Sequence, residues 1–274
     1  MNWRSIRAIA MKDFKEVRQN KAAWIPALAL PLVFAVGMPL LFIGLPQLIP
    51  VKDVASEMGD IQDLIVRMPA NVQQVFASTS LEQAFVIYGI GFMLAPMFLI
   101  MPLMFSSIIG ADSFVGERER KTMEALLYTP TSDGTLFMGK IIASVVPAIL
   151  LSWLSYVIYI VVVNATSWPL FGHIWFPLPA WWPLMLWLTP AISLLGMSAT
   201  VLISSRVKTF MEAYQLTGSL VVLVLALMVG QISGVLYLGV FSTFAIGTLV
   251  WIVDAVLIYI SVGTFNRTSL IAKI

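Results

Sequence analysis

The sequence predicts an all-α membrane protein with six transmembrane helices, an N-terminal amphipathic helix in the membrane interface and a cytosolic helix between spans two and three. Composition is the first reason: 59% of the 274 residues are hydrophobic and 11% charged, where soluble domains hold roughly 45–50% and 25%. Mean hydropathy is +0.93. The second reason is the recurrence of apolar runs with at most one charge, each long enough to cross a bilayer. The third is the one-sided distribution of Lys and Arg along the chain.

Residues 1–21 carry Arg4, Arg7, Lys12, Lys15, Arg18 and Lys21, while Trp3, Ile6, Ala10, Phe14 and Val17 recur at helical spacing. That pattern predicts a basic amphipathic helix lying in the interface plane. The apolar run that follows continues uncharged from Ala22 to Val51, well beyond the roughly 7–15 residues of a signal-peptide core, so it is read as a retained span.

Spans are predicted at about 22–46, 85–111, 137–163, 181–204, 213–231 and 243–265. Gly230, Gly234 and Gly239 punctuate the chain after the fifth and are suited to a short re-entrant piece. With the N-terminus in the cytosol, Arg118, Arg120, Lys121, Lys140, Arg206, Lys208, Arg267 and Lys273 share the side of the N-terminal basic residues. Lys52 and Arg67 then lie outside, which fixes both termini as cytosolic. Trp168, Trp175, Trp181 and Trp182 crowd the connection between spans three and four, as an interfacial belt would.

Prolines fall inside the spans at 26, 31, 39, 96, 102, 147, 183 and 190. Each removes a backbone donor, so bent helices are expected, and the freed carbonyls must find other partners. The outer loop over 47–84 is the longest polar stretch; Val54, Met58, Ile61, Leu64, Ile65 and Met68 predict an amphipathic helix within it. The spans and connections are read as one polytopic membrane domain over 1–274, with no separate soluble module.

Several chemistries are excluded. The chain has no cysteine and one histidine, His173, which removes disulfides, thiol nucleophiles and any ordinary transition-metal centre. Gly134-Thr-Leu-Phe-Met-Gly139-Lys140 imitates a phosphate-binding loop, but Ile141 replaces the required Ser or Thr and no strand precedes it. Gly196-Met-Ser198 lacks a histidine within any span to serve as base.

The cytosolic segment 112–136 contains the most informative run. Between Gly116 and Thr129-Pro130, a helix is predicted over 117–128, stopped by the proline. Met123, Leu126 and Leu127 form an apolar edge, and Glu117, Arg118, Glu119, Arg120, Lys121 and Glu124 supply charge of both signs. Such a helix can insert its edge into a groove of a soluble partner and fix register with ion pairs.

The run Glu117-Arg-Glu-Arg-Lys-Thr122-Met-Glu124-Ala-Leu126-Leu127-Tyr-Thr129-Pro130, followed by Gly139-Lys140, resembles the cytosolic signature of ABC-2 type transporter permeases. The resemblance implies that this segment is a coupling helix docked on a separate ATP-binding cassette subunit, through Glu117, Arg118, Glu119, Arg120, Lys121, Thr122, Met123, Glu124, Leu126, Leu127, Thr129 and Pro130. It implies that the N-terminal helix is the elbow helix, and that two permease subunits, alike or related, pair with two ATPases. No cofactor is then expected on this chain, ATP and Mg²⁺ belonging to the partner. Membrane lipids complete the expected partners, and nucleic acid is not among them. The outer loop is longer than in many members.

Asp254 lies near the middle of the sixth span. A charge there costs roughly 2.5–3.5 kcal/mol on insertion scales and marks a functional candidate. A hydrogen bond to Tyr156 or Ser155, contact with a cationic substrate or Na⁺, and a polar contact across a subunit interface are the open alternatives. The resemblance implies an exporter, and the hydrophobic lining of the spans favours amphipathic or apolar cargo, peptide, lipid-like or drug-like. The alternatives are an ion-coupled secondary carrier or channel using Asp254 for H⁺ or Na⁺, and a structural scaffold.

Overall fold

The computed structural model describes residues 3–19, 25, 29–48, 65–66, 68, 70–122, 132–233 and 235–264. These form helices α1 (Trp3–Gln19), α2 (Met38–Leu48, entered through a π turn at Leu32–Gly37), α3 (Ala70–Phe76), α4 (Leu81–Glu119), α5 (Asp133–Phe171), α6 (Trp181–Ser204), α7 (Phe210–Ile232) and α8 (Val240–Thr264). Five of them, α4 to α8, are long and apolar enough to cross a membrane, and where the first span is predicted the described residues form a shorter apolar helix, Ala29–Gly44. The helix sought within the outer loop falls on 54–68, of which only Ile65, Val66 and Met68 belong to the described residues.

Helix α4 is the central column. Its apolar window is 89% buried, against 17% for α7 and α8, because α5, α6 and the start of α7 pack around it. The close approach of α6 depends on Gly196: a Cβ there would stand 2.8 Å from the Leu103 carbonyl oxygen and 2.5 Å from Ser106 Oγ. Small residues at a helix crossing let backbones meet, the usual device where lipid supplies no hydrophobic drive between helices. The apolar faces of α7 and α8 remain outward, for lipid or another chain.

Helices α4 and α5 both run past the predicted spans. Ser80 starts α4 four residues early with a reciprocal capping box to Gln83, and Ser132 caps α5 by accepting from the Thr135 amide. At its far end α5 stops at Gly172, whose φ of 68° permits a left-handed cap bonded to Trp168 O.

The proline-rich spans break as expected at Pro96, where a π turn over Ile87–Met93 gives way to a 3₁₀ turn at Pro96–Leu99. Three carbonyls at this break accept side chains from three other helices. Ile90 O takes the Tyr159 hydroxyl at 2.8 Å, Gly91 O the Trp181 indole N–H at 2.8 Å and Phe92 O the Gln231 amide at 2.7 Å. The polar cost of the kink is thereby met inside the bundle. Trp181 is fully buried, so it belongs to the core and not to an interfacial belt; Trp168 and Trp182 are exposed. Pro147 and Pro169 lie within α5 without ending it.

Candidate functional site

At the end of the bundle that carries α1, three helices meet on a cluster of charges. Helix α1 turns Ile6, Ile9 and Asp13 inward; of the predicted stripe Ile6 is buried, Ala10 and Phe14 are half-buried and Trp3 is exposed. It crosses α5 at Gly139, where a Cβ would meet Ile9 Cγ2 at 2.9 Å and Ile6 O at 3.4 Å. That contact brings the Asp13 carboxylate beside the next residue of α5, Lys140.

Lys140 is fully buried, and its ammonium donates to Glu117 Oε2 at 2.5 Å, to Ser113 O at 2.6 Å and to Ser113 Oγ at 3.1 Å. Asp13 Oδ2 lies 3.5 Å away and accepts from Ser113 Oγ at 2.5 Å. The Phe114 ring stands 5.3 Å under the same ammonium. Glu117, also without exposure, pairs through its other oxygen with Lys12. Two buried carboxylates thus meet the buried ammonium of Lys140 and the half-buried one of Lys12, and charges persist out of water only when paired and hydrogen-bonded.

Arg120 extends the cluster outward, 2.9 Å from Asp112 Oδ1 and 3.9 Å from Glu16. Burial lowers the Lys12 pKa, but the hydrogen bond and charge of Glu117, with Asp13 and Glu16, outweigh it, so the net direction is upward from 10.5. The balance at Arg120 has the same sign: burial opposes, and the bond and charge of Asp112 prevail.

Asp13, Glu16 and Glu117 offer carboxylate oxygens within 4.8 Å of one another, a spacing compatible with a metal. Lys12 already contacts all three, so the cation of this site is an ammonium supplied by the chain.

The helix predicted over 117–128 is not a separate element at its start. Glu117–Glu119 are the last turn of α4. Lys121 takes a left-handed φ of 57°, and the Thr122 and Lys121 amides return to Glu117 O at 2.9 Å and Arg118 O at 3.1 Å. This paired bonding is a Schellman cap, which ends a helix by satisfying its last carbonyls.

Most described charges of the motif turn back on the protein. Arg118 bonds Val207 O. Glu119 accepts the Phe210 amide at 2.8 Å, placing a carboxylate at the N-terminus of α7 where the helix dipole favours it. Lys121 and Thr122 are exposed at the point where the chain leaves the cluster. Met123, Glu124, Leu126, Leu127, Thr129 and Pro130 lie outside the described residues.

A family model for ABC-2 family transporter proteins matches residues 7–265. The chain belongs to the ABC-2 transporter family. Neither the curated proteins nor the solved structures yield a match. In this ABC-2 permease the segment that imitates a phosphate loop is helical: Gly134 opens α5, Gly139 serves the α1 crossing and Lys140 is committed to carboxylates.

Asp254 is fully buried on α8, and neither carboxylate oxygen has a hydrogen-bond partner among the described residues. The bond to Tyr156 or Ser155 is not made: Ser155 donates to Leu151 O and the Tyr156 hydroxyl is itself without a partner among the described residues.

The Asp13, Lys12 and Ser113 part of the site lies outside the residues that the motif singles out. Its signal was available, since Asp13 falls on the turn pattern of Ile6 and Ile9, a charge on an otherwise apolar helix face.

Proposed function

We propose that this permease is the membrane subunit of an ATP-driven exporter, with ATP and Mg²⁺ bound by a separate cassette subunit and the α1 end of the bundle in the cytosol. One observation carries the reading. The buried Lys140–Glu117–Asp13 cluster fastens α4, α5 and α1 at the place where exposed Lys121 and Thr122 lead into the motif over 123–130. A push on that motif is delivered to three helices at once.

On this reading the contact residues divide by role. Lys121, Thr122, Met123, Glu124, Leu126, Leu127, Thr129 and Pro130 meet the ATPase, while Glu117, Arg118, Glu119 and Arg120 hold the segment against the bundle. Two permease subunits, through outward apolar faces such as those of α7 and α8, enclose the path for an amphipathic or apolar cargo. The test is ATP hydrolysis by the co-purified complex. Glu124→Ala and Leu127→Ala abolish the permease-dependent part; unchanged hydrolysis with the subunits still associated rejects the assignment.

A second reading, ion-coupled transport, draws on Asp254 alone, a buried carboxylate without a partner among the described residues. Transport that requires an ion gradient, needs no ATP and disappears in Asp254→Asn would favour it over export.

A further inference from the structure

We infer that the groove between α1 and α5 binds an anionic phospholipid, one acyl chain lying in the groove and the phosphate at Arg7. The groove has a volume of about 420 Å³ and is lined by Trp3, Arg7, Ala10, Phe14, Val146 and Leu150 together with neighbouring apolar residues. It lies alongside the contact of Ile6 and Ile9 with Gly139, and Val146 and Leu150, two and three turns further along α5, are exposed.

Charge supplies the specificity. Lys12, Arg118, Arg120 and Lys140 are all engaged by groups of the protein. Arg7 is different: it is exposed and has no polar partner among the described residues. An unpaired guanidinium at the lip of an otherwise apolar groove is complementary to a molecule that joins an anion to a hydrocarbon tail, and guanidinium geometry matches phosphate. Position supplies the source. The groove opens onto the exposed apolar stripe of α5 formed by Val146, Leu150, Leu154, Val157 and Val161, so its occupant enters sideways from the bilayer. A basic amphipathic helix lying in an interface sets its arginines at headgroup level.

This inference rests on α1 being interfacial and does not involve the ATPase. The experiment uses the full-length permease in phosphatidylcholine nanodiscs containing a minor fraction of phosphatidylglycerol with a photoactivatable acyl chain, or phosphatidylcholine bearing the same chain. Cross-links mapped by mass spectrometry should concentrate on residues 3–14 and 142–151 and be several-fold more abundant from the phosphatidylglycerol probe. Arg7→Gln, at an exposed position, should equalise the two probes; Ala10→Trp, which fills the groove, should remove the cross-link. Equal yields from both probes on the unaltered protein, labelling spread evenly over the outward faces of α5, α7 and α8, or a preference that survives Arg7→Gln would overturn the proposal.

Discussion

The Lys140 ammonium stands 2.5 Å from Glu117 Oε2 with both side chains fully buried, so two residues 23 positions apart join the end of α4 to the start of α5. Neither charge has water as an alternative partner. Breaking such a pair from one side leaves an uncompensated charge and costs about 3–5 kcal/mol, whereas replacing both members by apolar groups is far less damaging. Lys140→Met is therefore expected to lower thermal stability sharply, and Lys140→Met combined with Glu117→Leu to recover part of the loss. A double-mutant cycle on unfolding midpoints in lipid nanodiscs reads the coupling directly; additive losses would show that the two side chains do not interact.

The break at Pro96 makes a separate claim on stability. Tyr159→Phe removes the donor to Ile90 O, and Trp181→Phe the donor to Gly91 O. Leaving a buried carbonyl without a partner costs about 1–3 kcal/mol. Each variant should lower the unfolding temperature, and Tyr159→Phe, which deletes one oxygen and otherwise keeps the ring, is the cleaner probe. An unchanged midpoint would mean that the carbonyl is served by another group.

Fastening of α1 has a predictable pH range. The folded-state pKa of Lys12 is raised above its ordinary 10.5 by Glu117, Asp13 and Glu16, against the effect of burial. A raised basic group contributes stability that is complete below its unfolded value and is lost as pH climbs through the folded one. The Lys12 contacts should accordingly hold from neutrality up to 10.5 and weaken only above it. Comparing the unaltered protein with Lys12→Met by unfolding midpoint across that range tests the sign: a constant difference is expected, and one that shrinks soon above neutrality contradicts it.

The helical scaffold was legible in the sequence because spacing and charge are local properties. Runs with at most one charge marked α4 to α8, and Pro96 announced both a break and the need for foreign donors. Which donors answered could not be read: Tyr159, Trp181 and Gln231 are brought to Ile90, Gly91 and Phe92 by packing alone. The same limit explains Trp181, whose interfacial sequence position is overridden by a hydrogen bond into the core. In the motif, charge identity was visible but charge direction was not. Glu117 reads as surface in a run of polar residues, yet it points inward because Lys140 and Lys12 arrive from two other helices. The predicted helix start failed for a local reason, the left-handed turn at Lys121, which a lysine does not advertise as a glycine would.

The most direct measurement of the coupling account exploits the absence of native cysteine. Single cysteines placed at Thr122 and, at the opposite end of the bundle, at exposed Trp182 are treated in intact cells with a membrane-impermeant maleimide, and the purified complex with a short bifunctional cross-linker. Thr122→Cys is expected to be protected from the maleimide and to cross-link to the ATPase subunit, while Trp182→Cys is labelled from outside and does not cross-link. Labelling of Thr122→Cys from outside the cell, or its failure to cross-link in an assembled complex that hydrolyses ATP, would contradict docking of this segment on the ATPase from the cytosolic side.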